Sequence, residues 1–284
     1  MKYRHSYHAG NFADTMKHLV LLQLLNALLR KPGEFVYIET HSGRGEYSLQ
    51  GREMRSTTEY RDGIGRLLES RQQLQGPIRD YVELVLRLGG DAQSGRLQRY
   101  PGSPLLAAEL VRPTDRAVLL EVQPAERRAL ARAVAGHPNV SVRGEDGYAA
   151  LRGLLPPAER RGLVLVDPSY EEGDEEFERV QSALLDGHRR WATGIFAIWY
   201  PIKRRAPITR FHAQLARSGL RRILCAELGL FPEDSQVALN GSGMIIVNPP
   251  WKLDATLCTL LPALHRALGV DKGSGVRCEW LVPE

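Results

Sequence analysis

Cysteine is scarce in this chain: Cys225, Cys258 and Cys278 are the only three in 284 residues. They lie far apart in no metal-binding or redox spacing, and an odd count does not make a disulfide framework. A reducing, cytoplasmic setting is the simpler expectation. Long apolar runs are also missing. The most hydrophobic stretch, residues 19–29, is interrupted by Gln23 and Asn26 and followed by Arg30 and Lys31. It is too short to span a bilayer, and it has no small-residue cleavage site of the kind a secretory leader carries. It reads instead as a buried helix over residues 13–30, ended by Pro32 and Gly33. No low-complexity tract and no internal repeat interrupts the chain.

What is present is an ordinary globular composition, 43% apolar and 25% charged. The net charge of +5 attracts nucleic acid without requiring it. After the first helix, short apolar runs alternate with helical stretches. The runs are 35–40, 117–122, 140–143, 163–166, 194–199, 223–228 and 244–247. Runs this short, apolar on both faces, suit central strands of a mostly parallel sheet. Helical patterns over 125–135 and 177–190 complete βαβ units. The expected fold is therefore α/β, a Rossmann-like, seven-stranded, mostly parallel sheet in one domain spanning 1–284. The first connection is too long for one crossover, about 75 residues between the first two strands. Helical periodicity over 58–70 and 78–88 predicts a small helical insertion, residues 50–97, over the edge of the sheet.

In such a sheet the ligand site lies at the carboxyl ends of the parallel strands. Strand one runs into Glu39-Thr40-His41-Ser42-Gly43-Arg44-Gly45. Gly43 and Gly45 let the backbone approach a ligand closely, although a plain turn uses the same residues. The third glycine of a dinucleotide fingerprint is replaced by Ser48. Glu121, at the end of strand two, can accept hydrogen bonds from both ribose hydroxyls of an adenosine, whether in NAD or S-adenosylmethionine; it is equally compatible with a solvent-facing strand end. Asp146, after strand three, can receive the amino group of an adenine ring or simply make a turn.

Strand four ends in Asp167-Pro168-Ser169-Tyr170, the sharpest signal. The lone pair of an exocyclic adenine amine is delocalised into the ring. Methylating it requires two acceptors on the N–H groups and a flat face against the base. The Asp167 carboxylate and the Pro168 carbonyl supply acceptors, and Tyr170 the face. Catalysis is then mostly positioning and desolvation. A second tetrapeptide, Asn248-Pro249-Pro250-Trp251, competes for the same role. In a methyltransferase sheet the seventh strand is antiparallel, so its carboxyl end points away from the cofactor, and the segment is assigned to ending the last strand.

The N-terminal stretch holds His5 and His8, followed by Lys17 and His18. With His41, four histidines invite a metal reading, but no carboxylate-rich motif accompanies them and no metal is expected. The segment is expected to close over cofactor and substrate. Lys203-Arg204-Arg205, just past strand five, can neutralise phosphates or stand as a solvated charge run.

Five segments, 3–18, 40–45, 100–104, 160–168 and 243–253, closely resemble the bacterial ribosomal large subunit methyltransferase J family, RlmJ, and the similarity runs on to the closing 280–284. The resemblance implies a monomeric, cytoplasmic enzyme that uses S-adenosylmethionine to methylate N6 of adenine 2030 in 23S ribosomal RNA. By motif, it implies that Lys17, His18, His41, Ser103, Glu121, Asp146, Gly147 and Asp167 line the cofactor and reaction site, with Gly43 in the turn. Tyr3 and His5 would meet the incoming adenine. The family's tetrapeptide usually has a second proline where this chain has Ser169, which frees one φ angle and adds an N–H; both acceptors and the aromatic ring survive. Rival readings are an adenine-N6 methyltransferase acting on DNA, an NAD-dependent oxidoreductase and a non-catalytic RNA-binding module.

Overall fold

Asn11 starts the first helix, its side-chain oxygen accepting from the amides of Ala13 and Asp14, both at 3.0 Å. That cap satisfies two of the donors every helix start leaves over. Helix α1 (Phe12–Leu29) buries 14 of its 18 residues, which is why it is apolar all round instead of along one stripe. The computed structural model describes residues 5–51, 57–91, 94, 96–232, 239–269 and 275–284.

The main sheet contains β1 (Val36–Glu39), β4 (Arg116–Leu120), β5 (Val140–Arg143), β6 (Gly162–Val166), β7 (Ile195–Ile202), β8 (Ile223–Gly229), β9 (Gly241–Val247) and β10 (Val276–Val282). Their order across the sheet is β10-β8-β9-β7-β6-β1-β4-β5. From β5 to β7 the pairings are parallel. β9 runs antiparallel to both β7 and β8, so β8 points the same way as β7. All seven expected strands are present, and β10 adds an eighth by pairing antiparallel with β8. It is an edge strand with mostly half-buried or exposed residues, so it lacks the apolar run that marks the others. A two-stranded ribbon, β2 (Glu46–Ser48) with β3 (Arg99–Pro101), stands apart.

Helices cover both faces. α1, α4 (Ser103–Leu110), α5 (Pro124–Ala133) and α9 (Leu253–Ala267) pack on one, and α6 (Gly147–Leu154), α7 (Asp174–Arg190) and α8 (Arg205–Ala216) on the other. Each face has its own apolar core, as β-strands that alternate their side chains between two covered surfaces require. Among the described residues of 50–97 are the α-helices α2 (Ile64–Glu69) and α3 (Gly76–Gly89). α3 buries Ile78, Tyr81, Val82 and Val85 and leans on α1, α9 and β3. The insertion thus rests on the helical layer, where α1 offers apolar surface on its outer side, and not on a strand edge. No helix among the described residues is long and apolar enough to cross a membrane.

Candidate active site

β1 lies between β4 and β6, with Glu39 in register with Leu119 on one side and Leu165 on the other. Two residues past those partners stand Glu121 and Asp167. At a strand spacing of ~4.8 Å, the two carboxylates flank the end of β1 roughly 10 Å apart. The turn after β1 is fastened to the first of them. Gly43 N–H donates to Glu121 Oε2 at 2.9 Å, and Gln123 N–H to Oε1 at 2.7 Å. Burial raises the Glu121 carboxyl, and those two amides counter part of the rise. Gly43 has φ +60°, and a Cβ there would stand 2.6 Å from the Tyr47 hydroxyl, so the turn accepts only glycine without strain.

Asp146 caps α6, accepting from Ala149 N–H at 2.9 Å. Gly147, the first residue of α6, lies so close to β1 that a Cβ would collide with the Thr40 carbonyl oxygen. His41 shares a hydrogen bond of 2.8 Å with the Thr40 hydroxyl and meets the Tyr148 ring edge-on. Burial brings its pKa down to about 4, so the imidazole is neutral at physiological pH.

The centre of the site is a buried charge cluster. Lys17 Nζ donates to Asp167 Oδ2 at 2.6 Å and to Asp14 Oδ1 at 2.8 Å, and stands 5.4 Å from the centre of the Trp199 ring. Burial pushes the Lys17 pKa down, but Asp14 and Asp167 outweigh it and hold it well above its ordinary value. Asp14 is buried too, yet His5 and Lys17 keep it well below the usual carboxylate range. Asp167 Oδ1 has no hydrogen-bond partner among the described residues.

Two further groups line the same strand end. Glu39 accepts from the Ser103 hydroxyl at 2.5 Å and from the Tyr37 hydroxyl at 2.9 Å. His18 shares a 2.8 Å hydrogen bond with the Tyr100 hydroxyl, which in turn meets Tyr81 at 2.7 Å. Burial lowers the His18 pKa to about 3. Lys17, His41, Gly43, Ser103, Glu121, Asp146, Gly147 and Asp167 therefore surround one strand end, with His18 one turn of contacts behind. His5 joins them through Asp14, at 3.0 Å from Oδ2, and Tyr3 lies outside the described residues.

Tyr170 is 3% exposed. Its ring packs against Phe177 and Trp199, and its hydroxyl donates to the Trp199 carbonyl at 2.8 Å. Its φ of +53° marks a tight turn after Ser169. Asn248 is at the other edge of the sheet, its amide donating to the carbonyls of Ala192 and Gly194 at 2.7 and 2.9 Å, just before β7. Of the basic cluster, Arg205 is engaged by the buried Glu227 at 2.8 Å, while Lys203 and Arg204 are exposed.

The four expected histidines do not converge, for His8 pairs with Glu59 at 2.9 Å while the others go to Asp14, Tyr100 and Thr40. His212, Cys225 and Glu227 do meet beneath α8. Arg205 already neutralises that glutamate and Arg277 stands 3.9 Å from it, so a cation would face two guanidinium groups. Asp14 and Trp199 went unnoticed in the sequence; the i,i+3 spacing of Asp14 and Lys17 on one helix was the available signal for the first.

A mostly parallel sheet with an antiparallel strand set between its last two parallel ones and another at its edge, a glycine turn after the first strand and acids after its neighbours define a Rossmann-like methyltransferase. The family model described as "Ribosomal RNA large subunit methyltransferase D, RlmJ" matches residues 32–282. The ribosomal RNA large subunit methyltransferase J of Haemophilus influenzae is 41% identical over 285 aligned positions, covering 100% of both chains. Its Escherichia coli counterpart is 39% identical with the same coverage. The crystal structure of protein LPL1258 from Legionella pneumophila superposes with a TM-score of 0.87 at 32% identity, over 96% of this chain and 98% of that one. The chain belongs to the RlmJ family of ribosomal RNA methyltransferases.

Proposed function

We propose that the chain transfers a methyl group from S-adenosylmethionine to N6 of an adenine in 23S ribosomal RNA, acting as a monomer. The observation that carries this reading is Asp167. It stands at the end of β6 beside the glycine turn, with one oxygen fixed on Lys17 at 2.6 Å and the other without a hydrogen bond among the described residues.

The residues fit the cofactor. Each Glu121 oxygen holds one amide and keeps a second lone pair for a ribose hydroxyl. Gly43 and Gly147 let the turn pack on Tyr47 and the start of α6 pack on Thr40, which brings Glu121 and Asp146 to the same strand end. Asp146 keeps one carboxylate oxygen for an adenine amino group. When bound, S-adenosylmethionine supplies a methyl group on a sulfonium.

Asp167 Oδ1 and the Pro168 carbonyl accept the two N6–H bonds of the target base and localise the nitrogen lone pair toward that methyl. Tyr170 is too buried to offer the base an open stacking face; braced by Phe177 and Trp199, it holds the loop that carries the Pro168 carbonyl. Lys17 keeps Asp167 oriented. The nitrogen needs no strong base, since it becomes an acidic ammonium only once the new C–N bond has replaced the methyl's bond to sulfur, and it then gives its proton to water. Neutral His18 and His41 add no positive charge to a pocket that receives a cation.

The test is Asp167→Asn, which keeps the shape and removes the charge. Mass-spectrometric mapping of N6-methyladenine in large-subunit RNA should show the modification lost, with binding of S-adenosylhomocysteine retained. Methylation at the wild-type rate would sink the assignment.

A further inference from the structure

Asp14 is among the most completely engaged side chains of the molecule and has no part in the chemistry described so far. It is 3% exposed. Its Oδ1 takes the Lys17 ammonium at 2.8 Å. Its Oδ2 accepts the Gly10 amide at 3.0 Å and lies 3.0 Å from His5 Nε2. One carboxylate thus joins the N-terminal strap, the first turn of α1 and, through Lys17, the end of β6.

Helix starting does not account for it. Asn11 already caps α1, and both Asp14 oxygens are taken by Lys17, Gly10 and His5. Asp14 instead points inward, where an ion pair with no function is commonly replaceable by apolar side chains at no loss. The pair sits at the one place where its geometry governs Asp167. With two carboxylates sharing one ammonium, Nζ is held between fixed points and cannot follow either. Without Asp14, Lys17 would collapse onto Asp167 and compete with an incoming amine for both of its oxygens. His5 would lose one of its contacts at the same time and keep its ring contact with Tyr47. The strap has a second fastening on the insertion side: His8 and Asn11 bond Glu59 at 2.9 and 3.1 Å, and the Thr57 hydroxyl donates to the Tyr7 carbonyl at 2.6 Å. The strap as a whole would therefore stay, and the change would fall on the Lys17 side.

We propose that Asp14 is a positioning residue for methyl transfer, acting through Lys17 to set the orientation of the Asp167 carboxylate. The proposal rests on the role given to Asp167 above.

The experiment compares the full-length wild-type chain with Asp14→Asn, Asp14→Glu, Lys17→Met and the Asp14→Asn/Lys17→Met double variant. Tritiated methyl transfer is measured on 23S ribosomal RNA from cells lacking the methyltransferase, alongside calorimetric binding of S-adenosylhomocysteine. A carboxylate displaced by about 1 Å costs up to about a hundredfold in rate, so Asp14→Asn should lower kcat by about 30-fold or more, with affinity for S-adenosylhomocysteine within about threefold. Asp14→Glu should lie between Asp14→Asn and wild type. The double variant should be no slower than Lys17→Met alone, because both substitutions break one chain of contacts. A kcat for Asp14→Asn within threefold of wild type, or losses that multiply in the double variant, would overturn the proposal. If Asp14→Asn does not fold, Asp14→Glu decides: a wild-type kcat there refutes positioning, and a reduced one with normal S-adenosylhomocysteine binding supports it. Asp167→Asn runs in parallel, and its retaining activity would refute the functional reading itself.

Discussion

Glu39 offers a direct measurement of how dry the heart of the site is. It is fully buried, and burial together with the charge of Asp167 pushes its carboxyl from an ordinary 4.5 up to about 8, the Ser103 and Tyr37 hydroxyls pulling part of the way back. The folded chain therefore holds this proton through neutrality, whereas the unfolded chain releases it near 4.5. Between those limits the folded state binds more protons, so stability declines as pH rises. The contribution is complete below the unfolded pKa and gone above the folded one. At about 1.4 kcal/mol per pH unit, the stretch from pH 6 to the folded value of about 8 amounts to about 3 kcal/mol. Glu39→Gln keeps the size of the protonated group, donates to Ser103, accepts from Tyr37 and does not titrate. Urea unfolding of both proteins without ligand at pH 6, 7, 8 and 9 should show wild type losing about 3 kcal/mol relative to the variant, the variant being the more stable at pH 9. A gap that stays level within about 0.5 kcal/mol across the series would show that Glu39 is ionised and that the reasoning about its burial is wrong.

Two other outcomes follow from close packing and from strand polarity. Gly147→Ala drives a methyl group into the Thr40 carbonyl, and relieving it moves the start of α6 off β1. Melting and calorimetry should show a loss of about 1–3 kcal/mol in stability and weaker S-adenosylhomocysteine binding, and an unchanged affinity would argue that α6 does not border the cofactor. Trp251→Ala removes a side chain that is 82% exposed on the edge away from Asp167. Stability should change by no more than about 0.5 kcal/mol and methylation not at all; a loss of activity would mean that the wrong edge has been assigned.

The strands that were legible in the sequence are those covered on both faces. Residues 163–166 or 244–247 can hardly be anything but buried strand, since every position is apolar. β10 escaped because its burial is partial, Arg277 and Glu279 alternating with Val276, Cys278 and Trp280, so it resembles a polar tail with a few apolar residues. The two-stranded ribbon escaped because three residues per strand carry no period. Site residues at strand ends, Glu121 and Asp167, were visible once the strands were placed, because topology brings strand ends together. The clamp made by Asp14 was not, although Asp14 stands within the quoted N-terminal segment. The i,i+3 spacing to Lys17 hints at the pair, but the clamp depends on α1 lying across the sheet so that Lys17 reaches Asp167 just past β6, a tertiary fact. Trp199 escaped for the same reason, as an apolar strand residue whose ring happens to lie near Lys17. Tyr170 was found by its motif, but its support by Phe177 and its φ of +53° belong to packing that no motif spells out.

Because α1 is enclosed on nearly every side, the residues proposed to orient and border Asp167 share their foundation with the apolar interior. Lys17 and His18 stand on the same backbone as Leu19, Leu21 and Leu24, which are wholly removed from solvent. A surface-loop site can drift while the body of a protein stays put; here the anchor of the chemistry is itself a beam of the building. Substitutions deep among those leucines should therefore disturb methyl transfer before they unfold anything, and drift at this site over evolution would be held back by the packing of oil as much as by the placement of charge.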